Sequence, residues 1–263
     1  MNISAYVLTY NSSKYIEKIV LQLSKFADEI VIVDSGSNDN TLRIISKYDI
    51  VKIYERKFDN FKNQRNYAAD KCCNDWIFFV DSDEIPDDGV VNSIINLKNK
   101  ELSSNIAFSF LRTWIVMGKF IHSLYPIQNP DNVVRLFNRT QVSFGESSNL
   151  VHETIGGYSQ KETLAGNIMH YTFETKEEIY SKVDKYTNLA AKDLLLRGRK
   201  VSYFKLIFDP PAAFVKWYLF KKGFLDGWIG FVLGKYAYCY TKLKYSKALK
   251  LANQIKSSKI NLK

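Results

Sequence analysis

Residues 76–84 read Trp76-Ile77-Phe78-Phe79-Val80-Asp81-Ser82-Asp83-Glu84. Five consecutive apolar residues are typical of a strand that is buried on both faces of a parallel sheet. Ligands of such sheets bind beyond the carboxyl ends of the strands, which is where these three carboxylates are expected. Two aspartates one residue apart can hold a hard divalent cation that keeps positions open for substrate phosphates. The alternative is that they are solvated turn residues, which are common at strand exits.

Short strands alternate with helices on the N-terminal side of this run. The predicted elements are a strand at 3–9, a helix carrying Ile16 to Leu23, a strand at 29–33, a helix from Thr41, a strand at 51–54 and a helix at 60–72. This alternation predicts an α/β fold with a Rossmann-like, mostly parallel sheet flanked by helices. No Gly-x-Gly-x-x-Gly follows the first strand and no Gly-x-x-x-x-Gly-Lys is present, so neither a dinucleotide cofactor nor a P-loop is predicted.

Several motifs together resemble the family 2 glycosyltransferases of GT-A fold. They are Leu8-Thr9-Tyr10-Asn11, the run from Ala27 to Ser37, the run from Lys62 to Ala68, and Asp81-Ser82-Asp83-Glu84. Later motifs resemble the branch that includes lipopolysaccharide core β-1,4-glucosyltransferases: Val134-Arg135-Leu136-Phe137, Val151-His152-Glu153, His170-Tyr171 and Gly223-Phe224-Leu225-Asp226-Gly227. The order and spacing match over nearly the whole chain.

The resemblance implies a donor site for a UDP-sugar. Thr9 and Asp34 correspond to positions that bind the uracil and the ribose, although Asp34 could instead cap the following turn. Asp81 corresponds to the aspartate that contacts the ribose or the metal, and Asp83 to the direct metal ligand. His170 corresponds to a histidine that completes the shell of a divalent metal, Mg or Mn, with a buried, hydrogen-bonded histidine as the alternative.

Other residues are candidates for the diphosphate and for the acceptor. Lys62 and Arg65 fall on one helix face, where two cations could meet a pyrophosphate or simply be solvated. Glu84 is either a supporting group or a solvated acid. Glu153 corresponds to the family's general base, which an inverting enzyme needs because a sugar hydroxyl is a poor nucleophile; the alternative is a surface glutamate. The region 104–171 is expected to cover the acceptor side. Five residues there are either acceptor contacts or ordinary core and rim residues: Trp114, Phe120, Tyr125, Arg135 and Arg139.

Charge is distributed unevenly along the 263 residues. The net charge is +10, and residues 199–263 alone carry +12, with 14 of the 38 aromatic residues. Basic residues interleaved with aromatic rings favour contact with an anionic inner-membrane surface, and nucleic acid is not expected. The alternative is a helical appendage packed on the rest of the chain. The apolar run 227–234 is too short to span a membrane.

The predicted division is a GT-A catalytic domain at 1–198 and a basic, aromatic helical appendage at 199–263. Within the first, residues 1–103 form the nucleotide-sugar half and 104–175 the acceptor side. A helix is expected from Lys176 to Leu196 with Gly198 as its stop, and Asp209-Pro210-Pro211 is expected to break the next segment as a hinge.

The resemblance implies an inverting, metal-dependent transfer of a hexose, glucose, from a UDP-sugar to a lipopolysaccharide or lipooligosaccharide inner-core acceptor. Two alternatives remain: a related UDP-hexose or UDP-N-acetylhexosamine transferase acting on another glycan, or a non-catalytic membrane-associated relative that binds the donor. Three cysteines without a pairing pattern and the lack of a signal segment predict a cytoplasmic protein, peripheral on the inner membrane. The oligomeric state is left open.

Overall fold

A central nine-stranded sheet organises the chain, which a computed structural model describes over residues 1–126, 130–145, 154–199 and 201–260. The strands are β1 (Ile3–Thr9), β2 (Glu29–Asp34), β3 (Val51–Glu55), β4 (Trp76–Asp81), β5 (Glu84–Pro86), β6 (Ile106–Val116), β7 (Lys119–Phe120), β8 (Asn132–Asn138), β9 (Ser143–Gly145), β10 (Thr154–Gly156) and β11 (Gln160–Phe173). The helices are α1 (Ile16–Leu23), α2 (Thr41–Ile45), α3 (Phe61–Lys71), α4 (Asp88–Lys98), α5 (Lys176–Leu196), α6 (Tyr203–Val215) and α7 (Gly227–Ile260). The two strands β9 and β10 pair separately.

The strand order among these residues is β3-β2-β1-β4-β8-β6-β11-β5, with β7 beside β6. Parallel pairing joins β3, β2, β1 and β4. Beyond β4 the sheet continues with antiparallel pairs, β4 with β8 and β8 with β6. The chain moves from β1 to β2 and β3 on one side, and then returns to place β4 on the other side of β1. The predicted α/β sheet is confirmed, and its strand order reverses between β1 and β4.

Helices cover both faces of the parallel strands. Ala5 and Val7 of β1 pack with Ile19 of α1 in one apolar cluster, whereas Tyr6 packs with Ala68 of α3 in the opposite one. Side chains alternate between the two faces along a strand. The alternation therefore decides which face each strand-end residue points to.

The described residues fall into two compact units. Residues 1–113, 130–145 and 154–171 form the first unit, and residues 114–126, 172–199 and 201–260 form the second. The first unit contains the parallel strands and their carboxyl ends. Compactness does not test a functional boundary, so the division at residue 198 stays a prediction.

Long helices dominate the second unit. The prediction of a helix from Lys176 to Leu196 is confirmed: the Thr175 side chain caps its first turn by accepting a hydrogen bond from the Glu178 N–H, and Gly198 follows with φ +62°. Residues of α5 and α7 share an apolar core that includes Val183. None of the helices in the described ranges has the length and apolar character required to cross a bilayer.

The prediction that Asp209-Pro210-Pro211 breaks the chain is wrong, because α6 runs unbroken from Tyr203 to Val215. The φ of proline is already helical, so its main effects are a lost N–H hydrogen bond and crowding of the preceding turn. Pro210 is buried and α6 packs along α7, so tertiary packing offsets that loss. A π-helical turn (Lys216–Phe220) and a 3₁₀ turn (Gly223–Asp226) then lead into α7.

Candidate active site

The carboxyl ends of β1, β2 and β4 lie side by side in the first unit. The pairing register places Thr9 beside Asp34, and Leu8 beside Asp81. The helix after β1 covers one face of the sheet and the helix before β4 covers the other. In α/β proteins, connections that leave neighbouring strands toward opposite faces of the sheet open a crevice beyond the strand ends, and ligands bind there. The predicted donor residues therefore lie at neighbouring strand ends, on the edge of the sheet where such ligands bind.

Thr9 and Asp34 are both buried and bond to each other. The Thr9 hydroxyl Oγ1 donates to Asp34 Oδ1 over 2.7 Å. The second carboxylate oxygen, Oδ2, accepts the backbone N–H groups of Gly36 and Ser37 over 2.9 and 2.7 Å. Asp34 thus caps its own turn, as one of the two sequence interpretations held. Its contact with a nucleotide, and that of Thr9, stay predictions.

Asp81 is held by Arg65 at the end of β4. Alternation along β4 turns Asp81 to the same face as Phe79, where α3 packs. Arg65 Nη2 donates to Asp81 Oδ1 over 2.6 Å, and its guanidinium carbon lies 5.0 Å from the centroid of the Phe79 ring. The Arg65 side chain is 9% exposed, against 32% for Asp81. Arg65 is therefore not part of a solvated basic face, and its role toward a pyrophosphate stays a prediction.

Glu84 is completely buried among basic side chains. Arg135 Nη2 donates to both carboxylate oxygens over 2.8 Å, and Arg112 Nη1 donates to Oε1 over 3.1 Å. The backbone N–H of Asp81 donates to Oε2 over 3.2 Å. Burial alone would raise the pKa of Glu84, but the charges of Arg135, His170 and Arg112 hold it well below its usual range. The interpretation of Glu84 as a solvated acid is wrong: it is an ionised anchor.

His170 lies beside Asp83 because β11 pairs antiparallel with β5. The register sets His170 opposite Glu84, and the Tyr171 N–H donates to the Asp83 carbonyl oxygen over 2.8 Å. His170 Nε2 is 3.2 Å from Asp83 Oδ2, and Nδ1 is 3.8 Å from Glu84 Oε1. The Asp83 side chain is 44% exposed. Six residues are thus brought together, and we call them the strand-end cluster: Arg65, Asp81, Asp83, Glu84, Arg135 and His170.

Asp83 and His170 suit adjacent positions around a divalent cation. In an octahedral shell with bonds of about 2.1 Å, neighbouring ligand atoms lie roughly 3.0 Å apart, close to the observed spacing of Asp83 Oδ2 and His170 Nε2. Within the described ranges no three or more His, Cys, Asp or Glu residues converge as a metal site. Asp83 and His170 would supply a carboxylate oxygen and an imidazole nitrogen to such an ion.

The family of the chain follows from a comparison with known proteins. The model of glycosyl transferase family 2 matches residues 4–147, which is more than half of the chain and includes β1 to β4 with their carboxyl ends. The chain belongs to this family. Together with the mixed sheet described above, membership confirms the predicted GT-A fold and identifies the protein as a glycosyltransferase.

Relatives of this glycosyltransferase match along most of its length. It is 27% identical over 248 residues to an uncharacterized glycosyltransferase of Rickettsia conorii, covering 88% of this chain and 83% of that protein. It is 29% identical over 236 residues to the lipopolysaccharide core biosynthesis glycosyltransferase LpsC of Rhizobium meliloti, covering 84% and 82%. Among solved structures, residues 1–349 of S. aureus TarS in complex with UDP-GlcNAc are 15% identical, with a TM-score of 0.49 and coverage of 94% and 91%.

The remaining candidates of the glycosyltransferase lie on α3 or outside the described residues. Lys62 lies on α3 one turn before Arg65 and is half-buried. The Asn66 side chain bonds the backbone of Phe144 at both its oxygen and its nitrogen, and so joins α3 to β9. Glu153, the predicted base, lies outside the described residues together with its neighbour at 152, and its role stays a prediction.

The proposed acceptor contacts have structural partners. Arg135 donates hydrogen bonds to Glu84, and Arg139 Nη1 donates to the Ala69 carbonyl oxygen over 3.2 Å. Trp114 and Tyr125 pack against the apolar core of the second unit, and Phe120 is exposed. Sequence reasoning did not single out Arg112, which also binds Asp131 over 2.8 Å. Arg112 is the one charged residue of β6, and this was the available signal.

Proposed function

We propose that this glycosyltransferase transfers a hexose, glucose, from a UDP-sugar to a lipopolysaccharide or lipooligosaccharide inner-core acceptor, with inversion at the anomeric carbon. The observation that carries the proposal is the strand-end cluster, in which the half-exposed Asp83 lies 3.2 Å from His170 and the neighbouring Asp81 is flanked by the guanidinium groups of Arg65 and Arg135. The similarity to LpsC, a lipopolysaccharide core biosynthesis enzyme, supports the class of acceptor.

The cluster suits a reaction in which a nucleoside diphosphate leaves. Its departure develops negative charge on the β-phosphate, and a divalent cation, Mg or Mn, supplies Lewis-acid stabilisation of that charge when bound. Asp83 and His170 would hold the ion. Arg65, which donates a hydrogen bond to Asp81 Oδ1, fixes the orientation of Asp81 for contact with the ribose or the metal.

The attacking group is a hydroxyl of the acceptor sugar. Glu153 would accept the hydroxyl proton while the oxygen forms its bond to the anomeric carbon, on the face opposite the breaking bond to the diphosphate. The free thiols of Cys72, Cys73 and Cys239 fit a reducing compartment, in line with a reaction at the cytoplasmic face of the inner membrane.

The test is transfer from UDP-glucose to purified inner-core acceptor, followed by release of UDP and by the mass of the product. Glu153→Gln removes the base without changing its size, so turnover should fall by about a hundredfold or more while UDP affinity is nearly unchanged. Glu162→Gln, which changes an exposed glutamate on β11, serves as the control and should keep wild-type turnover.

Wild-type turnover in Glu153→Gln would refute the assignment of the base. Transfer from a UDP-N-acetylhexosamine and not from UDP-glucose would show that the protein is an N-acetylhexosamine transferase, the related class named above. Donor binding without any transfer would favour the non-catalytic alternative.

A further inference from the structure

The second unit presents a large apolar surface to solvent along α6 and the π-helical turn that follows. Six large apolar side chains there, at positions three, four or seven residues apart or directly adjacent, are 40 to 79% exposed. We call them the outer face of α6: Phe204, Ile207, Phe208, Val215, Leu219 and Phe220. Pro210 and Trp217, on the opposite side of the same segment, are buried. Among the described residues, the segment therefore has two apolar sides: one is packed against the protein and the other is exposed to solvent.

The charge beside this face is positive, because the acids of this part of the chain are turned inward. Residues 199–263 contain 14 Lys or Arg and two acids, Asp209 and Asp226. The Asp226 side chain is 2% exposed, accepts the backbone N–H of His122 and lies 2.6 Å from the Nδ1 atom of His122. Asp209 points toward α7 and hydrogen-bonds Tyr245, and burial together with this bond raises the pKa of Tyr245 to about 12. The outer face itself carries no acidic residue.

Lysines border the outer face at regular positions. Lys205 and Lys216 are eleven residues apart, close to three turns, so they share one edge of the helical segment. Lys221 and Lys222 directly follow Phe220 at its end. A lysine can lay its methylene chain over apolar surface and keep its ammonium group at a phosphate. Both components of an interfacial helix, an apolar face and a cationic edge, are therefore present.

We propose that the outer face of α6 docks on an anionic phospholipid bilayer, with its rings at the acyl boundary and its lysines on the headgroup phosphates. Docking removes the exposed apolar side chains from water and places the cations in the negative surface potential of the membrane. A bilayer fits better than nucleic acid, because a phosphate backbone offers no apolar phase for Ile207, Val215 and Leu219. This surface lies in the second unit, and its docking does not depend on the proposed sugar transfer.

The test is flotation of the full chain with vesicles of phosphatidylethanolamine and phosphatidylglycerol, compared with vesicles of phosphatidylcholine alone. The wild type should bind the anionic vesicles, and binding should weaken as salt screens the lysines. The double variant Phe204→Ser/Phe208→Ser removes two exposed rings that contact each other at 4.4 Å between centroids. Its partition coefficient should fall by about tenfold or more.

The matched control is Leu21→Ser/Ile95→Ser, which removes two exposed apolar side chains from helices of the first unit. It should bind vesicles as the wild type does. A separate variant, Lys216→Gln/Lys221→Gln, should lose the preference for anionic lipid while the outer face stays intact. Circular dichroism of each variant establishes that the fold is retained.

Any of four results would overturn the proposal. The first is wild-type vesicle binding by Phe204→Ser/Phe208→Ser, and the second is a wild type that floats with neither kind of vesicle. If the lipid-free wild type sediments as a dimer that this variant dissociates, the outer face serves a second copy of the chain. Binding to duplex DNA in the absence of vesicle binding would assign the basic edge to nucleic acid.

Discussion

A buried carboxylate, Glu84, organises the strand-end cluster. Arg135 bonds Glu84 and lies 3.9 Å from Asp81, so one guanidinium links two carboxylates. The guanidinium carbon of Arg135 is 4.5 Å from the centroid of the Phe79 ring, and that of Arg65 is 5.0 Å from the same centroid. The cations near Asp81 are thus fixed by aromatic contact as well as by charge.

Replacing Glu84 by glutamine should destabilise the protein by about 3 kcal/mol. The change keeps the shape but removes the negative charge that balances Arg112 and Arg135, and an unbalanced buried charge is costly. Urea unfolding followed by circular dichroism measures this loss. Asp88→Asn, which breaks the exposed pair with Lys25, should leave the unfolding midpoint unchanged. Equal midpoints for Glu84→Gln and the wild type would show that Glu84 is not the anchor.

The carboxylates could be located from the sequence, whereas their partners could not. Asp81 and Asp83 follow an apolar run, and this local pattern predicts a strand end. The burial of Glu84 depends on Arg112 from β6 and Arg135 from β8, which are remote in the chain. One sequence does not specify such pairs, because they follow from strand order and register.

At the scale of elements, β11 delivers His170 to the site and its path depends on Gly166. Gly166 has φ +111°, and a Cβ atom there would lie 2.1 Å from the backbone nitrogen of Val90 in α4. The next residue, Asn167, accepts the Asp87 N–H at its carbonyl oxygen over 3.0 Å. The strand therefore crosses directly against the first turn of α4 and continues to His170.

Gly166→Ala should lower the free energy of unfolding by about 3 kcal/mol, through backbone overlap with α4 and an unfavourable φ. Gly118→Ala is the matched control, because Gly118 has φ +73° with open space around it. It should cost only about 1 kcal/mol, from φ alone. Thermal or urea unfolding of both variants gives the comparison. Equal losses would mean that the close approach of β11 to α4 contributes nothing.

Local signals predicted the helices and strands well where they agreed with packing. The helix predicted at 60–72 spans Phe61–Lys71, because Asn60 accepts the Asn63 N–H as a cap. Pro210 and Pro211 do not interrupt α6, because the packing of α6 on α7 outweighs the low helix propensity of proline. The antiparallel strands beyond β4 follow from long-range pairing, and local patterns do not fix their order.

At the scale of the whole molecule, the candidate catalytic residues and the excess of positive charge lie in different parts of the chain. The strand-end cluster lies in the first unit, and the basic residues with the outer face of α6 lie in the second. Donor binding and vesicle binding are therefore separate properties with separate tests. Loss of one by mutation should leave the other intact.

The central claim is that the strand-end cluster binds the diphosphate of a UDP-sugar through a divalent cation. Calorimetric titration of the full chain with UDP, with and without Mn²⁺, tests it most directly when repeated on Asp83→Ala and on the exposed control Asp88→Asn. We predict roughly micromolar binding that requires the metal, is lost in Asp83→Ala and persists in Asp88→Asn. Absence of UDP binding in the wild type, equal wild-type binding with and without Mn²⁺, or Mn²⁺-dependent binding that persists in Asp83→Ala would contradict the account.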